Sequence, residues 1–374
     1  MSFRLFRDIQ AQAQGGNNVR VSGVYLTRIA AQVWFMTHVH FGKSLGFVAG
    51  GIGDQIYHLT QLRALASASL NGKIDLACIH PGSIATLLAN SPWAGKIIDA
   101  RPLRRYIPVL RGTGTVSEIR QAGYKSAFIL HRSTSFKLAA LTAGIPYRVG
   151  LYGQWLDQFI LTKSLPADAG GDRRVLWGHR PFIAAADEWI AAQNLALDDK
   201  TPTILPAPDM LATVANLLAH LPRPIIIVNL FAADPARRWS LDHASATLKI
   251  LGRQLGGSLL LNAGPDAASY HDAMLEQWDG PADQLIDSLR HAPSLARDIA
   301  LYHAADGYVG VDSFTANLAF NCHLPATVLF AKAGDRLRYK PAVFPLFPDA
   351  GKGLDSISPD EIIDQCAKML QASQ

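Results

Sequence analysis

Residues Gly46-Phe-Val-Ala-Gly-Gly-Ile-Gly-Asp-Gln-Ile-Tyr-His58 decide the fold class, because they join a short apolar run, a glycine-rich turn and the start of a helical pattern. The apolar run predicts a buried strand, and the pattern after the turn predicts a helix. Gly51 and Gly53 let the backbone approach a bound group closely, since they carry no side chain. We therefore expect a charged ligand at this turn.

Asp54 stands in the first turn of the predicted helix. The N–H groups at the start of a helix and its positive dipole end favour a carboxylate at this position. A carboxylate that faces a cleft can accept a proton from an attacking hydroxyl group. Aspartate is also a common helix cap, so the turn alone leaves both roles open.

The length of 374 residues favours two domains. Hydrophobic residues make up 49% of the chain and charged residues 17%, which is typical of a globular protein and excludes a disordered one. The three cysteines are odd in number and widely separated, so we expect neither a disulfide framework nor a metal cluster. No secretory signal is evident at the first residues, and we expect a cytoplasmic protein.

The net charge is +5, which favours a partner rich in phosphate or carboxylate, such as nucleic acid, a membrane surface or a phosphorylated glycan. The basic residues lie in small groups, for example Arg101, Arg104 and Arg105. The sequence has no zinc finger, aromatic RNA-binding motif or long basic helix. We therefore predict no nucleic-acid partner.

Residues 1–43 form an N-terminal arm before the first predicted strand. Its apolar segment, residues 24–41, is interrupted by Arg28 and Gln32 and is shorter than the roughly 20 apolar residues that span a bilayer. We predict a helix here. It would pack on the following domain or, with the arginines of the arm, lie on an anionic membrane surface.

Residues 44–200 alternate between short β-type runs and helical patterns. The predicted strands are Leu45–Ala49, Ile74–Ile79, Lys96–Ile98 and Ala127–Leu130, and the predicted helices are Gln55–Leu70, Ser83–Ala89 and Val116–Ala122. This alternation predicts an α/β domain with a mostly parallel, doubly wound sheet. Ligands bind beyond the carboxyl ends of the strands in such sheets, where the Gly50–Asp54 turn and the His131–Ser135 loop would lie.

A proline-rich segment, residues 198–208, predicts an interdomain linker. The same alternation restarts in residues 209–350, where the predicted strands are Ile225–Leu230, Ser258–Asn262, Tyr308–Val311 and Ala326–Phe330. The predicted helices are Met210–Leu221, Leu241–Leu255, Ala267–Trp278, Leu295–Ala305 and Ser313–Cys322. Residues 351–374 contain a last helix, Pro359–Ala372, with Ser358 as its predicted N-cap. Two α/β domains that face each other across a cleft are the expected architecture.

Two further strand-to-helix junctions carry candidate ligand-binding residues. Residues 229–240 end with the adjacent pair Arg237 and Arg238, whose guanidinium groups suit a diphosphate and also fit an ordinary surface. Residues 309–317 place Asp312 and Ser313 at a predicted helix start, where they would cap the helix or contact an anion. The glycine turn lacks the last glycine of G-x-G-x-x-G, so it does not predict a dinucleotide site.

Taken together, four segments of residues 44–345 resemble the family 9 glycosyltransferases, which include the lipopolysaccharide heptosyltransferases. The segments are Gly51-Ile-Gly-Asp54 with Leu59 to Leu65, Ser133 to Gly150, Arg237-Arg-Trp-Ser240 and Asp312-Ser-Phe-Thr-Ala-Asn-Leu-Ala319. The resemblance implies a GT-B fold with two Rossmann-like domains. It implies an acceptor-binding domain in residues 44–200, a nucleotide-sugar domain in residues 209–350, and a last helix that returns toward the first domain.

The resemblance also implies an inverting glycosyl transfer, with an ADP-sugar as the favoured donor and heptose as one candidate sugar. It implies no cofactor and no metal for the chemistry. Asp54 matches the family's proposed base, and the implied donor-binding residues are Arg237, Arg238, Asp312, Ser313, Thr315 and Asn317. Arg132 and Lys137 are candidates, by their position, for binding an anionic glycan or glycolipid acceptor, and the protein would contact the cytoplasmic face of the inner membrane peripherally.

The third junction departs from the family pattern at two positions. Phe314 stands where the family has glycine, and Asn317 stands where it has histidine. Asparagine can donate and accept hydrogen bonds but cannot carry a proton or a charge at this position. This leaves open a second interpretation, in which the chain binds a nucleotide sugar in envelope glycan assembly without turning it over.

Overall fold

The computed structural model describes residues 40–108, 111–151, 155–165, 182–291, 293–331, 340 and 342–372. The predicted helix of the N-terminal arm, residues 24–41, lies outside the described residues except for His40 and Phe41. Residues 40–374 form one compact unit. It contains two six-stranded sheets in which all the neighbouring strands are parallel.

The first sheet has the strand order β3-β2-β1-β4-β5-β6. Its strands are β1 (Gly42–Phe47), β2 (Ser69–Cys78), β3 (Ala94–Asp99), β4 (Ser126–Ile129), β5 (Tyr147–Leu151) and β6 (Lys163–Leu165). Its helices are α1 (Ile52–Ile56), α2 (Leu59–Ser67), α3 (Pro81–Leu88), α4 (Thr113–Gln121), α5 (Thr134–Thr142), α6 (Asp157–Ile160) and α7 (Phe182–Ala192), with a 3₁₀ turn at Arg101–Arg105. The central strands β1 and β4 are buried because helices cover both faces of a sheet of this type.

The second sheet has the order β12-β11-β10-β7-β8-β9. Its strands are β7 (Ile225–Asn229), β8 (Ser258–Leu261), β9 (Leu285–Asp287), β10 (Gly307–Val311), β11 (Ala326–Leu329) and β12 (Val343–Leu346). Its helices are α8 (Pro208–Leu218), α9 (Leu241–Leu255), α10 (Ala268–Glu276), α11 (Leu295–Ala304), α12 (Phe314–Asn321) and α13 (Pro359–Gln371).

Both sheets have the same topology, because the second order becomes the first when β7 to β12 are renumbered from one and the sheet is read from its other edge. The strand order reverses between β1 and β4 in the first sheet and between β7 and β10 in the second. The crevice at such a reversal is where doubly wound sheets bind ligands. The predicted glycine turn follows β1, and the two other predicted junctions follow β7 and β10.

The structure confirms the α/β class and the doubly wound sheets. All eight predicted strands exist with shifted ends, and four shorter strands were not predicted: β5, β6, β9 and β12. The single helix predicted over Gln55–Leu70 is wrong, since α1 and α2 are separated by Tyr57 and His58 and Leu70 belongs to β2. The arm predicted as residues 1–43 also overlaps the first sheet, because β1 starts at Gly42 and Phe41 is buried against Phe128.

The last helix, α13, lies on the second sheet. Ser358 caps α13 by accepting a hydrogen bond from the Glu361 N–H, as the sequence predicts. The helix packs against α9 and the strands β10, β11 and β12 of the second sheet. Its apolar face, which includes Ile362, Cys366 and Met369, belongs to the core of that sheet. Burial of this face explains the position of the helix.

Candidate functional site

The glycine turn after β1 is fixed by two side chains of α1. The carboxylate of Asp54 accepts a hydrogen bond from the Gly51 N–H at 3.0 Å. The buried Gln55 amide donates to the Gly50 carbonyl at 3.2 Å and accepts from the Ile79 N–H at 3.1 Å. Gly50 has φ +91°, and a Cβ atom there would lie 2.5 Å from Asp54 Oδ2. Asp54 is therefore a helix cap, and this contact fixes the position of its carboxylate.

The junction between β10 and α12 contains a network of hydroxyl groups. Asn229, the last residue of β7, donates from Nδ2 to Thr315 Oγ1 at 2.6 Å. Thr315 Oγ1 also lies 2.7 Å from Ser313 Oγ and 2.9 Å from the Tyr308 hydroxyl. Burial raises the pKa of Tyr308, which keeps its phenol protonated as a donor. Asn317 Nδ2 donates to the Ser313 carbonyl at 3.0 Å, so the first turn of α12 is held in one conformation.

The two adjacent arginines have different environments. Arg237 Nη1 donates to the Asp312 carbonyl at 3.1 Å, and its Nε lies 3.5 Å from Asp234 Oδ2. Its side chain is 42% exposed, which leaves part of the guanidinium open to a ligand. Arg238 Nε donates to the Ala232 carbonyl at 3.0 Å, and its guanidinium lies 4.2 Å from the centre of the Phe231 ring.

Helices α1 and α12 bring the two sheets together at the site. A Cβ atom on Gly53 would lie 3.2 Å from the Cα atom of Phe314. At the other end of α12, the buried Asn321 donates from Nδ2 to the Ile56 carbonyl at 3.0 Å. The start of α1 and the start of α12 therefore form neighbouring walls of one cleft.

The cleft has a volume of about 790 Å³ and is lined by residues of both halves of the chain. The predicted residues that line it are Gly51, Gly53, Asp54, Arg237, Asp312, Ser313, Thr315 and Asn317. Its lining includes four aspartates and one arginine, so its side chains carry more negative than positive charge. Arg238 is not among the lining residues, although its partner Phe231 is.

Arg132 and Lys137 lie at the first sheet, at the β4–α5 junction. Lys137 is fully buried, and its Nζ atom lies 2.7 Å from Asp157 Oδ2 and 3.5 Å from the Arg132 carbonyl. Burial lowers the pKa of the Lys137 ammonium, and the bond to Asp157 opposes this effect. A ligand from solvent would reach the half-buried Arg132 before Lys137.

Sequence reasoning did not single out Asn229, Phe231 or Asp234, which also line the cleft. One signal was available for Asn229, since it is the only polar residue of β7 and ends an otherwise aliphatic strand at the carboxyl edge. No such signal marks Asp234, whose position depends on the 3₁₀ turn at Pro235–Arg237 that it caps.

Within the described residues, no group of three or more histidine, cysteine, aspartate or glutamate side chains is arranged to hold a metal ion. The three cysteines, Cys78, Cys322 and Cys366, are buried and free. No helix in this part of the chain is long and apolar enough to cross a membrane.

No protein-family model matches this chain, and no curated protein matches it in sequence. Solved structures do resemble it. A family 9 glycosyltransferase from Veillonella parvula has a TM-score of 0.69 at 17% identity, covering 90% of this chain and 99% of that one. The ADP-heptose lipopolysaccharide heptosyltransferase II of Escherichia coli has a TM-score of 0.66 at 19% identity, with 88% and 99% covered.

Heptosyltransferase WaaC of Escherichia coli, solved with ADP-2-deoxy-2-fluoro heptose, has a TM-score of 0.62 at 13% identity, with 87% of this chain and 99% of that chain covered. At these identities the likeness concerns the arrangement of the backbone. The two doubly wound sheets and the cleft lined by both halves give this chain the GT-B fold, as the sequence predicts.

Proposed function

We propose that the chain is an inverting glycosyltransferase that moves a sugar from a nucleoside diphosphate donor to a cell-surface glycan acceptor. The observation that supports this most is the composition of the cleft walls. One wall carries the carboxylate of Asp54, and the other carries the guanidinium of Arg237 and the start of α12. Glycosyl transfer needs a proton acceptor and a stabiliser of a departing diphosphate on opposite sides of the sugar.

The donor would bind at the second sheet. The N–H groups at the start of α12 and the exposed part of Arg237 are suited to the diphosphate. The carboxylates of Asp234, Asp266 and Asp312 would accept hydrogen bonds from sugar hydroxyls, which explains an acidic lining in a site for an anionic donor. ADP is the favoured nucleotide, because two of the similar structures are named with ADP-heptose or an analogue of it.

The reaction would then need no group beyond those of the cleft. The acceptor oxygen attacks the anomeric carbon, and the bond from that carbon to the diphosphate oxygen breaks with its electron pair. Asp54 takes the hydroxyl proton as the new bond forms, an effect of about 10²–10⁴ in rate. Arg237 and the α12 N–H groups stabilise the charge on the diphosphate electrostatically. We propose that no metal takes part.

The acceptor would enter from the first sheet. Arg132 is the candidate contact for an anionic glycan or glycolipid, and Lys137 would act indirectly by holding the Arg132 carbonyl. We propose that the protein works in the cytoplasm, in peripheral contact with the inner membrane, where such acceptors are assembled. The second candidate is a protein that binds a nucleotide sugar without turnover, which the replacement of the family histidine by Asn317 favours.

The first test is binding of ADP-, UDP- and GDP-sugars, measured by thermal shift and calorimetry, since a ligand of the native state raises its melting temperature. We expect ADP-sugars to stabilise the chain with or without EDTA. Arg237→Ala should weaken binding about 10–100-fold, the range for a lost charge-assisted hydrogen bond. Arg238→Ala is the matched control and should bind more tightly than Arg237→Ala.

Turnover separates the two candidates. Release of ADP that depends on an added lipopolysaccharide-core acceptor supports the transferase, and tight ADP-sugar binding without release supports the binding protein. If no nucleotide sugar binds, or if both arginine variants bind like the parent chain, the proposed donor site is wrong.

A further inference from the structure

The segment from Arg101 to Leu165 has a larger net positive charge than the whole chain. It contains ten lysine and arginine residues and two acidic residues, a net charge of +8, whereas the whole chain carries +5. Lys137 and Asp157 are buried against each other, so neither contributes to the surface and the net charge of the remaining residues is unchanged. The rest of the chain is therefore net acidic, and the excess of positive charge lies in this segment of the half that forms the first sheet.

The same segment carries five of the seven large hydrophobic side chains that are exposed in the described residues: Ile107, Leu141, Trp155, Leu156 and Phe159. Trp155 is 62% exposed and Phe159 is 69% exposed, and their rings contact each other edge to face at 6.1 Å. Because these two exposed rings contact each other, they form one apolar projection from the surface rather than two scattered residues.

Helix α5 is the common neighbour of the charged turn and of the helix that carries Phe159. The Arg101–Arg105 turn and α6 both pack against α5. Phe159 belongs to α6, and Trp155 comes shortly before it in the chain. Arg104 and Arg105 are exposed, and no carboxylate among the described residues pairs with them. The buried Lys137–Asp157 pair joins α5 to α6 and holds the aromatic projection in place. We call this surface, made of the Arg101–Arg105 turn, α5 and α6, the basic aromatic face.

We infer that the basic aromatic face docks on an anionic lipid bilayer. Tryptophan and other aromatic rings partition to the level of lipid headgroups, and arginines around them are attracted to anionic headgroups. A protein partner is less suited, because the cores of protein interfaces are depleted of charge. The face belongs to the half that carries Arg132, so docking would present a membrane-held acceptor to the cleft; this last step depends on the proposed function.

The test uses the full chain and sedimentation with vesicles of phosphatidylcholine alone or mixed with phosphatidylglycerol. We expect binding to the mixed vesicles only, reduced at least about tenfold by the double variant Trp155→Ala and Phe159→Ala, and by Arg104→Glu with Arg105→Glu. Leu217→Ala, which removes an exposed leucine of α8, and Lys200→Glu with Lys368→Glu are matched controls that should bind like the parent chain.

Quenching by lipids with brominated acyl chains locates the contact. The tryptophan fluorescence of the parent chain should be quenched, and the Trp155→Phe variant should lose the quenched part of the emission. Equal binding by the face variants and the parent chain would overturn the inference, since another segment would then hold the bilayer. A change of oligomeric state in the aromatic double variant without any vesicle binding would also overturn it, in favour of self-association.

Vesicle binding and glycosyl transfer can fail separately. If transfer to a water-soluble acceptor is absent while the face variants lose vesicle binding, the proposed function fails and the docking face stands. If transfer occurs but no variant of the face alters vesicle binding, the proposed function stands and the docking face fails.

Discussion

Gly53 lies directly against the backbone of Phe314, so that a Cβ atom on Gly53 would be 3.2 Å from the Phe314 Cα atom and 3.5 Å from Asn317 Nδ2. The contact joins α1 to α12 and therefore sets the distance between the two walls of the cleft. A backbone atom cannot rotate away as a flexible side chain can. Any larger residue at position 53 therefore requires a shift of α12, whether or not a ligand also approaches this glycine.

Gly53→Ala should move the two cleft walls apart by a few tenths of an ångström. We expect the free energy of unfolding to fall by about 1–3 kcal/mol, the usual cost of overpacking, and glycosyl transfer to fall with it. Gly82→Ala is the control, because a Cβ atom on this glycine of α3 meets nothing within 4 Å. It should be neutral or stabilise by up to about 1 kcal/mol. Urea unfolding of both variants measures this, and equal effects would show that the close contact does not matter.

Asp54→Asn separates the capping role of Asp54 from its proposed role as the base. The amide oxygen can still accept the hydrogen bond from the Gly51 N–H, so the melting temperature should stay near that of the parent chain. Since asparagine cannot take a proton, the transfer rate should fall about 10²–10⁴-fold while donor affinity is retained. Single-turnover kinetics with a bound donor measures the chemical step. An unchanged rate at saturating donor would remove Asp54 from the mechanism.

The sequence predicted the central strands because they are continuous aliphatic runs, as in Ile225–Val228 of β7. It missed β6, β9 and β12, which are three of the four edge strands of the two sheets, and β5 beside β6. These strands have three to five residues. An edge strand is paired on one side only, and such short segments carry little hydrophobic periodicity to detect.

The candidate site was predictable where local patterns mark a strand end, as at Asp54, Arg237 and Asp312. It was not predictable where the geometry depends on pairing between distant segments. The bond from Asn229 to Thr315 exists because β7 pairs with β10, which follows it by nearly 80 residues. The burial of Lys137 likewise depends on Asp157, which comes after a further strand and lies on α6.

Lys137→Met tests whether the buried ion pair supports the first domain. Removing one partner leaves the Asp157 carboxylate in an apolar environment, which should lower the free energy of unfolding by about 3–5 kcal/mol. The double variant Lys137→Met with Asp157→Leu should recover most of this loss, because no buried charge remains. Chemical denaturation of the parent chain, both single variants and the double variant completes the cycle. Additive losses in the double variant would contradict a direct coupling between the two charges.

His303 makes the stability of the second half depend on pH. Its Nε2 atom lies 2.9 Å from the carbonyl of Ile204, and it donates a hydrogen bond there. Burial lowers the pKa of His303, and this bond to the backbone opposes the effect only in part. The ordinary pKa of about 6.5 applies in the unfolded chain, so the unfolded chain binds more protons near that pH. The free energy of unfolding should therefore fall as the pH drops below about 6.5.

His303→Gln removes this dependence while an amide donor remains near the Ile204 carbonyl. Urea unfolding at about pH 7.5 and about pH 5.5, on either side of the unfolded pKa, should show a smaller loss of stability for the variant than for the parent chain. The difference amounts to about 1.4 kcal/mol for each unit between the folded and unfolded pKa values. His220→Gln, at an exposed position, is the control and should follow the parent chain. A parallel loss in the parent chain and His303→Gln would assign the acid sensitivity to other groups, because only the imidazole at position 303 distinguishes the two proteins.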